Sequence, residues 1–532
     1  MHLKLYKLIS FIRPAYTLPL LLVILIGCAT KNFYAETQVA DPAVYQQLLQ
    51  DPTSVDSVTV KAGKHYQRGQ FYRLLWGTRH RNAWTAPVIV PILRLDTVKG
   101  GLKVERIGGG MQTISATMVG ADGMVYALRT VDKRPQVMLP PILQNTIFAD
   151  LVRDQTSALN PYGALVVAPL ARAVGVHTST PTLVYITPNE DRLKEHKKLL
   201  SDRLYLLEEK FNDKRSLVGE LSEAYDILNT DEVLANRYKY NNHVIDQLEF
   251  AKARLLDLLI GDRDRHEEQW EWAVFKENGQ HIYRPLPKDR DNAFFRYDDG
   301  ILSWLISRKW TNRKFETFDK KYKDVKALMI KSEFIDARAM PDVTAYQFDS
   351  LANDMKQRLT DQVIAQAVQK LPDSVYELQG ETLEQNLRSR RDNLDKAARK
   401  FYEVLSEKVL VIGTDQPDVF KVNRLNDNET EVTVSRLSDG TKIYHRIFNR
   451  AETDAITLHD LGGDDTIEVT GTVGKGIQIS LMEGPGKNKV INTSSVGGWG
   501  KKFEVQQSKM KKDKAGKGSG KKDKQPVQAT VR

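Results

Sequence analysis

One stretch, residues 255–295, limits the folds open to this chain more than any other. It reads LLDLLIGDRDRHEEQWEWAVF, a short gap, then YRPLPKDRDNAFF. Leu255, Leu256, Leu258, Leu259 and Ile260 form an apolar helix end that runs straight into a dense polar loop. That loop holds Asp262, Asp264, His266 and Gln269. An aromatic strand, Trp270 to Phe275, follows, and Asn278-Gly279 is a hairpin turn signal. A second acidic pair, Asp289 and Asp291, comes after the hairpin. Two carboxylate loops joined by a hairpin, bracketing Trp270, Trp272 and Phe275, belong at the edge of a core. The plainer alternative for so many alternating Asp and Arg residues is a solvated salt-bridge network.

Upstream, GGLKVERIGGGMQTISATMVGADGMVYALRTVDK reads as strand, glycine loop, strand, Asp122-Gly123 turn and strand. Gly108, Gly109 and Gly110 open the second strand, and glycines there let backbone N–H groups approach a phosphate that side chains would block. A basic residue on or after the third strand reaches the same place: Arg129 first, Lys133 as the alternative. Residues 141–175 read as helical, with Asp150 and Asp154 ahead of an apolar-faced segment ending near Gly175. Residues 190–260, including YLLEEKF, read as charged helices, and 300–405 as amphipathic packing helices. From about residue 408 short alternating strands recur at roughly ten-residue spacing, the texture of a sandwich or a short β-solenoid. Leu461 to Asp465 (LGGDD) is similar to one turn of a Gly-Asp calcium repeat, but the next turn carries Lys487 and Lys489 where acids belong, so we read a plain turn.

Taken in order, the DRDRH…Q block and DNAFF resemble the catalytic centre of atypical kinases: the secretory-pathway, HipA-like and phosphatidylinositol 4-kinase type II families. The resemblance implies an α+β fold with a bilobal protein-kinase-like domain. Its small β-rich lobe would be 91–190 and its large helical lobe 191–405, followed by an all-β domain at 406–500. It implies that Asp264 is the catalytic-loop Asp, and that Gln269, five residues on, stands where a metal-binding Asn is usual. It further implies that Asp291 holds the metal, that Asn292 is the Asn after it, and that Arg129 or Lys133 with Gly108–Gly110 cradle phosphates. The cofactor implied is Mg or Mn with ATP. Two departures stand out. Gln places its amide oxygen one methylene further out than Asn, and the 161–175 helix holds no acid to pair with the strand base, which leaves Asp154 as the candidate. Gly261-Asp262-Arg263-Asp264 lacks the spacing and the companion block of a phosphoesterase, so that activity is not carried over.

The N-terminus sets a location. Lys4, Lys7 and Arg13 precede an apolar run from Leu18 to Ile26, and Leu25-Ile26-Gly27-Cys28 reads as a lipobox. Removal of a signal peptide at 1–27 would leave a lipidated Cys28; an uncleaved anchor is the alternative. Cys28 is the sole cysteine, so there is no disulfide framework. Ala29 supplies no acidic retention signal, which points to the outer membrane. Residues 28–90 are expected to be a spacer and extension. After residue 500 the chain carries ten lysines and one arginine against three acids, a net of +8 out of the total of +10. This tail, 501–532, is expected to be disordered and to contact an acidic surface. Nucleic acid is not an expected partner. The stretch 68–500 also resembles a region of large Bacteroidota envelope proteins, which implies an envelope protein partner. The expected function is an envelope lipoprotein with a kinase-like domain transferring phosphoryl groups to an unknown acceptor. The alternatives are a catalytically inactive kinase-like scaffold, since ATP is scarce outside the cytoplasm, or a structural lipoprotein that binds glycan or protein.

Overall fold

The computed structural model describes residues 37–108, 112–240, 242–498 and 503–507. Cys28, Gly109, Gly110 and all but a few residues of the basic tail lie outside the described residues.

Strands β1 (Ser57–Lys61) and β2 (Pro87–Pro91) pair antiparallel, with prolines at the two ends of β2 where no ladder donor is needed. Val58, Val60, Val88 and Val90 alternate inward and join Tyr66 and Trp84 in the largest core. The stretch read as a spacer is therefore, from residue 37 on, part of the packed body.

Next comes an antiparallel sheet in the order β3-β4-β5-β7-β6, formed by β3 (Lys103–Gly108), β4 (Ser115–Val119), β5 (Val125–Thr130), β6 (Thr182–Ile186) and β7 (Arg203–Glu209). It has its own core, in which Met118, Leu128, Ile186 and Tyr205 meet. Helices Ile147–Asp154 and Gly163–Ala173 connect β5 to β6, and the second stops before Gly175 at φ 69°. Strand β7 corrects the helical reading of YLLEEKF. Leu204 to Leu207 are buried in succession, as in a strand covered on both faces, and such a run has no period that separates it from a buried helix.

A second sheet, β8-β10-β11-β9, combines β8 (Asp226–Asn229), β9 (His243–Ile245), β10 (Trp270–Glu277) and β11 (Gln280–Pro287). The β10–β11 hairpin closes at Asn278 and Gly279, both at positive φ (49° and 79°), the turn that matches the twist of paired strands. Behind it, helices Ala345–Arg358, Asp373–Asp392 and Leu394–Glu407 pack on helix Gln247–Ile260, with Phe348 against Phe401 at 5.5 Å between ring centroids, while Asp361–Val368 packs on Gly163–Ala173.

From residue 408 the chain coils. Strands β12 (Lys408–Ile412), β13 (Asp418–Arg424), β14 (Glu429–Arg436), β15 (Lys442–Asn449), β16 (Ala455–His459), β17 (Thr466–Thr470), β18 (Thr472–Val473), β19 (Gln478–Glu483), β20 (Lys489–Asn492), β21 (Ser495–Val496) and β22 (Phe503–Gln507) follow one another. The ladders β12-β16-β19-β22 and β13-β17-β20 are parallel, and partners such as Ala455 and Gln478, or Thr466 and Lys489, lie 23 positions apart. That register belongs to a solenoid-like coil and not to a sandwich, with β14–β15 an inserted antiparallel hairpin. Ile456, Ile467 and Ile479 fill its separate interior.

Candidate functional site

The site begins at the end of helix Gln247–Ile260. Asp246 caps its start by accepting from the Glu249 N–H at 3.1 Å. Gly261 ends it in the left-handed region at φ 68°, where a Cβ would press on the Phe318 ring at 3.0 Å. The buried Arg390 guanidinium donates to the carbonyls of Leu258 (2.5 Å) and Leu259 (2.8 Å) in the last turn, adding to the Gly261 N–H that already meets Leu258 at 3.1 Å. The chain therefore enters the polar loop at a fixed angle. Within the loop, Asp262 Oδ1 accepts the Asp264 N–H at 3.1 Å, and Thr230 Oγ1 donates to the Glu267 carbonyl at 2.7 Å.

Arg265 holds the two acidic segments together. Its guanidinium lies over Trp270 at 4.5 Å and donates to the carbonyls of Lys288 (2.7 Å) and Gln269 (3.1 Å). One side chain thus ties the loop before β10 to the end of β11. The second segment is anchored in turn by the Phe294 N–H, which donates to the Ile260 carbonyl at 2.9 Å. Behind both segments Asp257 accepts from Arg254 (2.6 Å) and Arg290 and lies 3.3 Å from Arg265 Nε. Arg254 also grips Asp336 through two bonds, at 2.7 and 3.2 Å. This is a salt-bridge network, but a buried one, which corrects the solvated alternative. Burial and then the nearby Arg254 push Arg290 down to about 9, as expected where several cations share little solvent.

In front of that network the predicted residues converge. Asn292 Nδ2 donates to Asp291 Oδ1 at 2.9 Å and lies 3.3 Å from Asp264 Oδ2, so one amide spans the two carboxylates. Lys133 pairs with Asp291. Arg129 reaches Asp289 at 3.3 Å and pairs with Glu208 on β7. Lys331 Nζ sits 2.5 Å from Asp264 Oδ1, and His266 Nε2 lies 4.0 Å from the same oxygen. Burial works to raise the Asp289 carboxyl, but Arg129 and Lys133 hold it well below the usual carboxylate range. Burial and then Asp289 push Asp291 up, against the pull of Lys133. Two neighbouring, half-buried carboxyls thus split, one firmly ionised and one reluctant. Asp264 is held low because Lys331 outweighs its burial, whereas burial drives Asp262 up to about 6.

The remaining predicted residues fall differently. Gln269 bonds neither acid: its Nε2 lies 3.3 Å from His266 Nε2, and its buried Oε1 has no hydrogen-bond partner. Gly108 sits opposite Ser115 at the loop end of the β3–β4 hairpin. Asp154 does not meet a strand base. It is fully buried and held by Arg81 at 2.8 and 2.6 Å, with Arg68 at 3.2 Å. The acid that does face Arg129 is Glu208, hidden from sequence reading because its strand was taken for a helix. Lys331 carries no signal at all, being 67 residues from the Asp it meets.

No family model matches this chain, and no curated protein matches it. Among solved structures it is similar to the Helicobacter pylori proinflammatory kinase CtkA, at 12% identity over 56% of this chain and 94% of that chain, with a TM-score of 0.30. It is similar to the HipA, HipB and operator DNA complex of the Shewanella oneidensis MR-1 toxin–antitoxin system, at 10% identity, 69% and 74% coverage and a TM-score of 0.28. It is also similar to the Golgi casein kinase, at 11% identity, 69% and 88% coverage and a TM-score of 0.27. Superpositions at TM-scores below 0.5 carry no argument, so a functional reading has to stand on the site's own geometry.

Proposed function

We propose that this chain is a kinase-like phosphotransferase of two lobes, the site lying where β5, the 262–269 loop and the 289–292 segment meet. The observation that carries this reading is the Asn292 amide spanning Asp264 and Asp291, with Lys133 on the second carboxylate. Asp264, kept ionised by Lys331, is the base: it orients the acceptor hydroxyl and takes its proton as the oxygen forms the new bond to phosphorus and the ADP oxygen departs. Lys133, the alternative in the sequence reading, is favoured over Arg129 as the phosphate ligand, because Arg129 is already committed to Glu208 and Asp289. Gly108 puts a side-chain-free backbone at the mouth of the hairpin above it.

A divalent ion fits the residues present. The buried, unpartnered Gln269 Oε1 is an oxygen donor without a proton to accept, and Asp291 is a carboxylate that burial and Asp289 push up despite its pairing with Lys133. Mg²⁺ needs one or two such oxygens beside nucleotide phosphates and water. Bound there, the ion would neutralise charge on the transferring group, with Asp291 and Gln269 as its protein ligands. The test uses ATP and Mn²⁺ with water as acceptor. Asp264→Asn should lower ADP release by about 100-fold or more while the melting temperature stays within a few degrees; unchanged release would sink the assignment.

A second reading, a kinase-like scaffold without turnover, is favoured by specific observations: both carboxylates are already paired with lysines, and among the described residues no three His, Cys, Asp or Glu side chains gather as a metal site. The envelope placement belongs to the same proposal. It rests on the 18–28 sequence, and a mass spectrum of the mature N-terminal peptide lacking a diacylated Cys28 would remove it.

A further inference from the structure

Away from the site's carboxylates, two short helices turn their apolar sides outward. Helix Gln70–Trp76 has the sequence QFYRLLW and buries none of its residues. Helix Ile301–Ile306 buries Ser303 alone. They are locked to one another: Ser303 Oγ donates to the Trp76 carbonyl at 2.8 Å, and Arg79 donates to Ser303 Oγ at 3.0 Å. Gly300 and Gly77 touch so closely that a Cβ on Gly300 would fall 2.2 Å from the Gly77 nitrogen. The outward faces are therefore fixed by the fold. They present Phe71 and Leu74 at i, i+3 and Ile301, Trp304 and Leu305 at i, i+3, i+4. Trp310 extends the face, and both it and Phe71 are 75% exposed. Burying these groups in this molecule's own core was available to the sequence and was not used, and such a patch marks an interaction surface.

The charge around the patch says what covers it. The run Arg308-Lys309-Trp310-Thr311-Asn312-Arg313-Lys314 holds four cations and no acid. Arg308 lies over the Trp304 ring at 4.3 Å, and the Lys309 ammonium is largely exposed, only loosely paired with Asp324 at 3.8 Å. Arg313 is partly committed to Asp324, at 2.6 Å. Lysine is depleted from protein–protein interfaces, whereas tryptophan with lysine and arginine at its flank is the composition of a face lying in the headgroup region of a bilayer. We propose that this face docks on an anionic phospholipid surface. Phe71, Leu74, Trp304 and Trp310 would reach the acyl boundary, and Arg308, Lys309 and Lys314 would lie among the phosphates. The contact lies flat on the bilayer, and among the described residues no helix is long and apolar enough to cross one. It does not depend on the phosphotransferase reading.

The test uses the full chain. Quenching of tryptophans on the face makes the readout local. With vesicles of phosphatidylcholine and phosphatidylglycerol bearing brominated acyl chains, the bromine should quench the wild-type fluorescence. In a Trp499→Phe background, Trp76→Tyr/Trp304→Tyr/Trp310→Tyr should lose most of that quenching, since the three remaining tryptophans, Trp84, Trp270 and Trp272, are buried. Phe71→Ser/Leu74→Ser, at exposed positions, should melt as the wild type does and partition about tenfold more weakly. Lys309→Glu/Lys314→Glu should weaken binding to anionic vesicles and leave binding to neutral ones unchanged. Quenching that survives the tryptophan changes, or partitioning of the Phe71/Leu74 variant within twofold of wild type, would overturn the proposal. So would a lipid-free dimer that the same variant dissociates, which would assign the face to a second copy of this chain.

Discussion

Two acidic turns in this molecule look alike on paper and do opposite things. The segment Asp289 to Asn292 and the corner Asp460 to Asp465 of the coil each set two carboxylates beside further acids, half-buried in the first and buried in the second. In the first, cations face the acids: Arg129 and Lys133 in front, with Arg254, Arg265 and Arg290 gathered on Asp257 behind. In the second, Asp418, Asp460 and Asp465 form no ion pair among the described residues. Asp465 accepts the Asp418 N–H at 2.7 Å, Asp418 accepts the Thr414 N–H at 2.6 Å, and Asp460 accepts Asn488 Nδ2 at 2.8 Å. Burial pushes all three up, Asp465 to about 7. The first turn keeps its charge and can act on a charged ligand. The second binds its protons more tightly than an exposed turn would and serves as a hydrogen-bonded rung between coils. What separates them is the cations supplied by other elements, not the acids themselves.

The largest effect should come from breaking the clamp behind the first turn. Asp257→Ala leaves three buried guanidiniums facing one another, and removing one member of a buried pair costs about 3–5 kcal/mol. Urea denaturation should show a loss of at least about 3 kcal/mol, or no folded protein; a loss under about 1 kcal/mol would mean the network is solvated after all. A smaller effect, of opposite sign, is expected at the second turn. The folded-state affinity of Asp465 for its proton lies above the ordinary value of 3.8. Its contribution is therefore neutral below about pH 4, falls as pH rises towards 7, and stays a cost above that. Asp465→Asn keeps the oxygen that accepts the Asp418 N–H. It should stabilise the protein by roughly 1–2 kcal/mol at pH 8, the full linkage being reduced near the coil's solvent-facing corner, and by little at pH 4. Thermal melts at both pH values check this; equal shifts would erase the contrast between the turns.

Local signals were legible where the local chain decides the outcome. The apolar run before Gly261, the Asn278-Gly279 turn and the alternating strands from 408 to 483 all come from period and turn chemistry. Asp264 and Asp291 could be named from their places on either side of a hairpin. What could not be read is what distant residues supply. Leu204 to Leu207 satisfy a buried helix and a buried strand equally, so Glu208 was missed. Arg265 and Arg290 looked like surface residues because their neighbours are acids, yet their partners sit on helix Gln247–Ile260 and bury them. Lys133 and Arg129 differ in which acid they reach, a matter of geometry across some 160 residues of chain. Asp154 meets Arg81 and not a strand base, because residues 37–90 fold onto the body instead of trailing from it.

On the proposed function, Asp291, bridged to Asp264 by Asn292, belongs to a working metal and nucleotide site. Titration calorimetry of the full chain with ATP in the presence of Mg²⁺ or Mn²⁺, beside Asp291→Asn, tests it most directly. The account predicts binding that requires the metal and weakens about 100-fold in the variant, with its melting temperature little changed. No binding with either metal, or equal binding by Asp291→Asn, would contradict it.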